Sequence, residues 1–214
     1  MYMVEEVVQI PLGRHNDGRK YMQDALRGMA AQPGFRGGQI CAYLGNIRQH
    51  MFLTFWENAG SYQGWLGSAQ AAEQAKTRRP YTFDQYGKFY ELLLETKGPE
   101  QGNFLNQGVL QVLDEKRWDE YLEQRVEHDA SALEAGGLVY VECYKYVGEL
   151  MAPYFTPLTT TILVRRKDRA AYEHSVEVGI AKEMSRPAAY KSISPQLSDL
   201  AGLYDIIYDA PHPA

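Results

Sequence analysis

The apolar positions of this chain fall into runs and periods that change in a fixed order. EEVVQIPL (Glu5 to Leu12) is an extended run, and Tyr21, Leu26, Met29 and Ala30 then recur at helical spacing, so a strand followed by a helix is predicted. In QPGF (Gln32 to Phe35), Gly34 is placed to end that helix as a left-handed cap. GQICAYLG and HMFLTFWE read as two strands joined by a short polar turn at Asn46 to Gln49. A second helix is expected from about Ser61 to Lys76, broken before Pro80, and FYELLLE (Phe89 to Glu95) is a fourth strand.

The same order then returns. After the Gly- and Pro-bearing KGPEQGNF, GVLQVL is a strand and Arg117 to Leu133 a helix with Trp118, Tyr121 and Leu122 on one side. GGLVYVECYKYV and TTTILVRR are strands, Arg169 to Met184 a helix, and LYDIIYD (Leu203 to Asp209) closes the series. Echoes keep the order: Tyr21 with Tyr121, Tyr62 with Tyr172, Arg79-Pro80 with Arg186-Pro187. Each half is therefore β-α-β-β-α-β, the ferredoxin-like plan. Residues 1–97 and 104–214 are the two expected domains, with 98–103 as linker. An antiparallel sheet with helices on one face leaves the other face bare, an apolar patch that soluble monomers avoid. The expected fold class is α+β: two ferredoxin-like repeats packed sheet to sheet as an intramolecular α+β barrel.

Composition narrows the function. The formal charge of −5 argues against a nucleic-acid partner. No apolar run has the length of a membrane span, and MYMVEEVVQI is acidic where an export signal is basic. Two cysteines, Cys41 and Cys143, make no disulfide framework, so a cytoplasmic location is the expectation. Sixteen tyrosines, seven phenylalanines and three tryptophans point to a roomy, partly polar interior.

The stretch LTFWENAGSYQGWLGS (Leu53 to Ser68), with Pro33-Gly34-Phe35 upstream, carries Trp56-Glu57, Tyr62, Trp65-Leu66 and Ser68. This pattern resembles the antibiotic biosynthesis monooxygenase family over roughly Val4 to Glu95. The second half matches only in its order of elements and has Arg165-Arg166 or Arg166-Lys167 where Trp56-Glu57 stand. The resemblance implies a dimeric α+β barrel placed inside one chain. In the family's cofactor-independent oxygenases it implies Trp56 and Tyr62 as pocket walls and hydrogen-bonding groups for a small phenol- or hydroquinone-type compound. That branch carries an asparagine where this chain has Phe52. An ionised phenol can itself pass an electron to O2, so the protein need only bind, dry and deprotonate it.

From the same reading come the other candidates. His50 is a base candidate because imidazole titrates near neutral pH. Phe52, Trp65 and Tyr43 are expected at the substrate, with Lys76 and its neighbours Arg78 and Arg79 able to supply positive charge. Helical spacing equally makes Trp65 a core residue, and helix-end basic residues also answer the helix dipole. Haem is the alternative cofactor. The iron-ligating histidine of the haem-degrading branch falls on Ala75 and its asparagine near Glu6. Chlorite-dismutase-like proteins also duplicate this fold and bind haem on a second-half histidine, and that resemblance makes His174 the ligand considered. In the second half, Tyr140, Glu142, Tyr144 and Tyr146 share one strand face, and MAPYFTPLT (Met151 to Thr159) has the length and composition of a lid. The expectation is thus a monooxygenase without cofactor or metal. Its partner is a small aromatic ligand, with neither nucleic acid nor membrane, and pairing of the duplicated chain into a homodimer is compatible with the plan. The alternatives are a haem-binding or haem-degrading protein and a non-catalytic small-molecule or stress protein.

Overall fold

The computed structural model describes residues 1–78, 87–112, 114–149, 158–185 and 202–210. Arg79, the Arg186-Pro187 echo and positions 151–157 of the expected lid lie outside them. Among the described residues there are eight strands and five α-helices, an α+β fold. The first half contributes β1 (Tyr2–Gln9), α1 (His15–Met29), β2 (Phe35–Tyr43), β3 (Gln49–Trp56), α2 (Ala59–Leu66), α3 (Ala69–Arg78) and β4 (Gly87–Lys97). The second contributes β5 (Phe104–Gln111), α4 (Trp118–Glu134), β6 (Leu138–Glu149), β7 (Thr159–Arg166), α5 (Arg169–Ser185) and β8 (Gly202–Ala210).

The helix expected from Ser61 to Lys76 is two helices. Gly67 ends α2 by donating its N–H to the Gln63 carbonyl at 3.1 Å. Ser68 then starts α3, its hydroxyl accepting from the Ala71 N–H at 3.1 Å. A glycine cap followed at once by a serine cap reorients the chain. At the other end of α2, the Asn58 side chain accepts from the Ser61 N–H at 3.0 Å. Gly34 has a left-handed backbone, φ 76°, but it does not cap α1, which ends at Met29 with a right-handed Ala30; a Cβ at Gly34 would collide with the Ser61 side chain. Its carbonyl accepts from the Glu57 N–H at 2.7 Å, so the PGF turn is seated on the start of α2.

The chain divides into two compact units that interleave along the sequence: Met1–Glu91, Val147–Tyr154 and Tyr204–Ala214 form one, Leu92–Tyr146 and Phe155–Leu203 the other. In the first, β1 lies between β4 and β3, and β2 lies between β3 and β8, all antiparallel. LYDIIYD, expected to complete the second half, therefore pairs with β2 of the first, with Ile40 opposite Tyr208 and Cys41 opposite Ile206. The helix-side face of this sheet carries Tyr2, Val4, Val8, Phe52 and Trp56, packed against Met22, Leu26, Met29, Tyr62 and Trp65. Each such side chain, once buried, contributes about 1.5–3 kcal/mol. On the opposite face Glu5 is buried and accepts from the Lys88 ammonium at 3.2 Å.

The second unit repeats the register of the first. In the first, Tyr2 faces Trp56, Val4 faces Thr54, Glu6 faces Phe52 and Val8 faces His50. In the second, Phe104 faces Arg166, Asn106 faces Val164, Gly108 faces Ile162 and Leu110 faces Thr160. The irregularity at Phe35/Gly37 in β2 returns at Leu138/Tyr140 in β6. Six positions after Trp56 and after Arg166 stand Tyr62 and Tyr172. Their ring centres lie 6.3 Å from Tyr2 and 5.4 Å from Phe104. The duplication is thus written into strand pairing residue by residue, and Glu6 corresponds to Gly108, Thr54 to Val164, and Trp56 to Arg166.

Candidate functional site

A cavity of ≈ 210 Å³ lies in the first unit between the sheet and its helices. Alternation along β1 and β3 supplies its floor, namely Val4, Glu6, Val8, Phe52 and Thr54. From α2 come Tyr62 and Trp65; from α1 come Tyr21, Met22, Ala25 and Met29. Three alanines of α3 (Ala71, Ala72 and Ala75) and Gln74 form the last wall. Small side chains there leave the space that larger ones would fill. An apolar cavity of about 150 Å³ holds one benzene, so this one has room for a small aromatic molecule.

Four residues anticipated from the sequence meet near this space, in two ways. Phe52, Tyr62 and Trp65 line it. Trp56 stands behind the wall, fully buried, its ring 5.1 Å from Phe35 and 5.7 Å from Tyr62. Its indole N–H donates to the Thr54 hydroxyl at 3.0 Å, so its effect on the cavity passes through Thr54.

The remaining candidates lie elsewhere. His50 is fully buried but is not a lining residue. Its Nε2 accepts from the Arg19 guanidinium at 3.3 Å and its Nδ1 faces the Arg48 carbonyl at 3.4 Å. Burial, more than the nearby Arg19 and His15 charges, pushes its pKa down to about 4, so the ring is neutral near pH 7 with its acceptor nitrogen engaged. Tyr43 packs its ring on Tyr204 at 5.3 Å. Lys76 is exposed and paired with Glu73 at 2.8 Å. His174 is exposed on α5.

Sequence reasoning passed over Glu6 and Thr54 as site residues. Alternation puts either Glu5 or Glu6 on the helix-side face of the strand, and the sequence alone does not choose between Met3-Glu5-Val7 and Val4-Glu6-Val8. Outside the cavity, a cleft of ≈ 390 Å³ between α1 and α3 shares Tyr21, Ala25 and Gln74 with it. Tyr21 donates to the Gln74 carbonyl at 3.4 Å and the Gln74 amide to the Ala25 carbonyl at 3.3 Å. These two side chains stand between cleft and cavity.

The described lining of this cavity does not fit haem. Ala75, where the resemblance puts the iron ligand, lines the cavity and offers no donor, and no histidine or cysteine is among the described lining residues. The cavity volume also lies below the roughly 300 Å³ at which pockets for drug-sized ligands begin. Among the described residues no cluster of three His, Cys, Asp or Glu side chains could hold a metal ion. Nor is any described helix long and apolar enough to cross a membrane. Cys41 and Cys143 are buried and unbridged.

Strand order, register and the helices over one sheet face define the class as an α+β fold, one that several solved structures described as monooxygenases share. A candidate monooxygenase from Fusobacterium nucleatum shares it over 98% of this chain and 94% of its own, with TM-score 0.71 and 7% identity. One from Lactobacillus acidophilus does so over the whole of both chains, with TM-score 0.65 and 10% identity. An anthrone oxidase-like protein matches over 97% of this chain and 92% of its own, with TM-score 0.64 and 9% identity. At these identities the shared property is the fold. In sequence, protein SchA of Streptomyces halstedii is 29% identical over 86 residues, 40% of this chain but only 22% of SchA. No family model matches the chain.

Proposed function

We propose that this chain is a monooxygenase that oxidises a small phenol- or hydroquinone-type aromatic compound with O2, using no bound cofactor. One observation carries the reading: an aromatic- and methionine-walled cavity of ≈ 210 Å³ with few polar groups, Glu6, Thr54, Tyr21, Tyr62 and Gln74. The fold it shares with candidate monooxygenases and an anthrone oxidase-like protein points the same way. Phe52, Tyr62 and Trp65 supply flat walls for a ring. The Tyr62 and Thr54 hydroxyls are the hydrogen-bonding groups for a ring oxygen.

The chemistry asks little of the protein beyond binding, desolvation and proton handling. A phenol with a free para position supplies all four electrons needed to reduce O2. One oxygen atom enters the ring as the quinone carbonyl and the other leaves as water.

1-Naphthol is a suitable probe. Under ¹⁸O2 the protein is expected to convert it to 1,4-naphthoquinone carrying one ¹⁸O, with one O2 consumed per quinone. Compounds of this series that bind tightly yet draw no oxygen above the blank would replace the enzyme with a binding protein.

A further inference from the structure

We propose that Glu6 is the catalytic base of the first unit, taking the hydroxyl proton of the bound phenol. The inference rests on the oxygenase reading above and adds the residue that starts the reaction. Glu6 lines the cavity from β1, on the same strand face as Val4 and Val8, and is nine-tenths buried. Among the described lining residues it is the one carboxylate. The other polar groups there, two phenols, a threonine hydroxyl and a glutamine amide, do not accept a proton near neutral pH. His50, the alternative base, is off the cavity with its Nε2 held by Arg19.

The duplication supplies an internal control. Glu6 faces Phe52 in the β1–β3 ladder as Gly108 faces Ile162 in the β5–β7 ladder. The second copy builds the same strand pair with no side chain at that position, so the fold has no need of a carboxylate there. Glu5, the next residue, points to the opposite face, where it accepts from Lys88, and does not line the cavity.

In the step, the phenol O–H bond breaks, its electron pair stays on the ring oxygen, and the proton goes to a Glu6 carboxylate oxygen. The phenolate gives one electron to O2, and superoxide joins the ring radical at the para carbon as a peroxide. As the O–O bond breaks, the para hydrogen leaves as a proton. That proton and the one held by Glu6 go to the departing oxygen, which becomes water and leaves the quinone.

The test follows oxygen uptake with 1-naphthol against pH, and 1-naphthol affinity by protein fluorescence under argon, for wild type, Glu6→Gln, Glu6→Asp and Glu6→Gly. Glu6→Gln is expected to keep affinity within about threefold while kcat falls by roughly 100-fold or more, with loss of the acidic limb of the rate profile. Glu6→Asp should restore part of the rate. Added formate should raise the rate of Glu6→Gly, which has room for it, and leave Glu6→Gln unchanged. A Glu6→Gln protein that keeps the wild-type rate and acidic limb overturns the role of Glu6 and leaves the oxygenase reading standing. A wild type that binds 1-naphthol and consumes no oxygen overturns both.

Discussion

Trp56 and Thr54 lie on the same face of β3, and the indole N–H of the first donates to the hydroxyl of the second at 3.0 Å. Thr54 lines the cavity and Trp56 does not. The tryptophan of the family-like motif thus fixes a hydroxyl in place and fills the core between Phe35 and Tyr62.

Trp56→Phe should act on stability more than on binding. Loss of the hydrogen bond and of ring volume is expected to cost about 2–3 kcal/mol, read from urea unfolding. Affinity for 1-naphthol should stay within about threefold, since lost pairing to an intermediary is worth less than lost contact. A large loss of affinity at unchanged stability would instead put the indole against the ligand.

Ala71→Leu should close the site. Ala71 lines the cavity and packs on the core, and a leucine there projects into space that the native structure leaves open. Binding of a one- or two-ring phenol should fall by at least about tenfold, while stability changes by less than about 1.5 kcal/mol because the added methyl groups fill a void. Titration calorimetry beside a melting curve separates the two.

Acid should weaken the fold through His50. Its folded pKa of about 4 lies below the ordinary 6.5, so between these values the unfolded chain holds a proton that the folded one does not. Stability is full above about pH 6.5 and falls as the pH drops toward 4. The difference in urea midpoint between wild type and His50→Gln, followed from pH 7 to 4, should shrink across that window. A constant difference would mean that His50 titrates normally.

Glu142 should act in the opposite direction. It is 4% exposed and burial pushes its pKa up to about 7, against the lowering effect of the Tyr144 hydroxyl that donates to it at 2.8 Å. The folded state favours its neutral form, so its contribution is present below about 4.5 and lost as the pH rises through 7. Glu142→Gln should then be more stable than wild type at pH 8, by on the order of 2 kcal/mol, and the advantage should vanish at pH 4.5.

The repeated order of elements was legible because it is local. Period and punctuation mark each strand and helix, and positions such as Gly34 declare their backbone. The Gly67-Ser68 break was missed, because helical periodicity continues on both flanks and hides the cap residues. The pairing of β8 with β2 was not legible, because a strand's pattern states which of its faces is buried and not which neighbour it joins. In the candidate site, Phe52, Tyr62 and Trp65 came from the motif resemblance, while helical spacing alone made Trp65 a core residue. The place of His50 was not legible, since the Arg19 that occupies its Nε2 approaches from a helix 31 residues away in the chain. Glu6 was hidden by its neighbour, for EE on a strand sends one carboxylate to each face and the sequence does not say which meets a cavity.

The two copies differ at cavity-lining positions such as Glu6 and Thr54 and agree where strands must meet. In a pair of identical subunits every substitution appears on both sides at once, so neither site can change alone. Joining the copies removes that tie. Arg166 can stand where its twin is Trp56, and Gly108 where its twin is Glu6, without touching the first cavity. Each half is free to change what faces its helices while the strand register stays common to both.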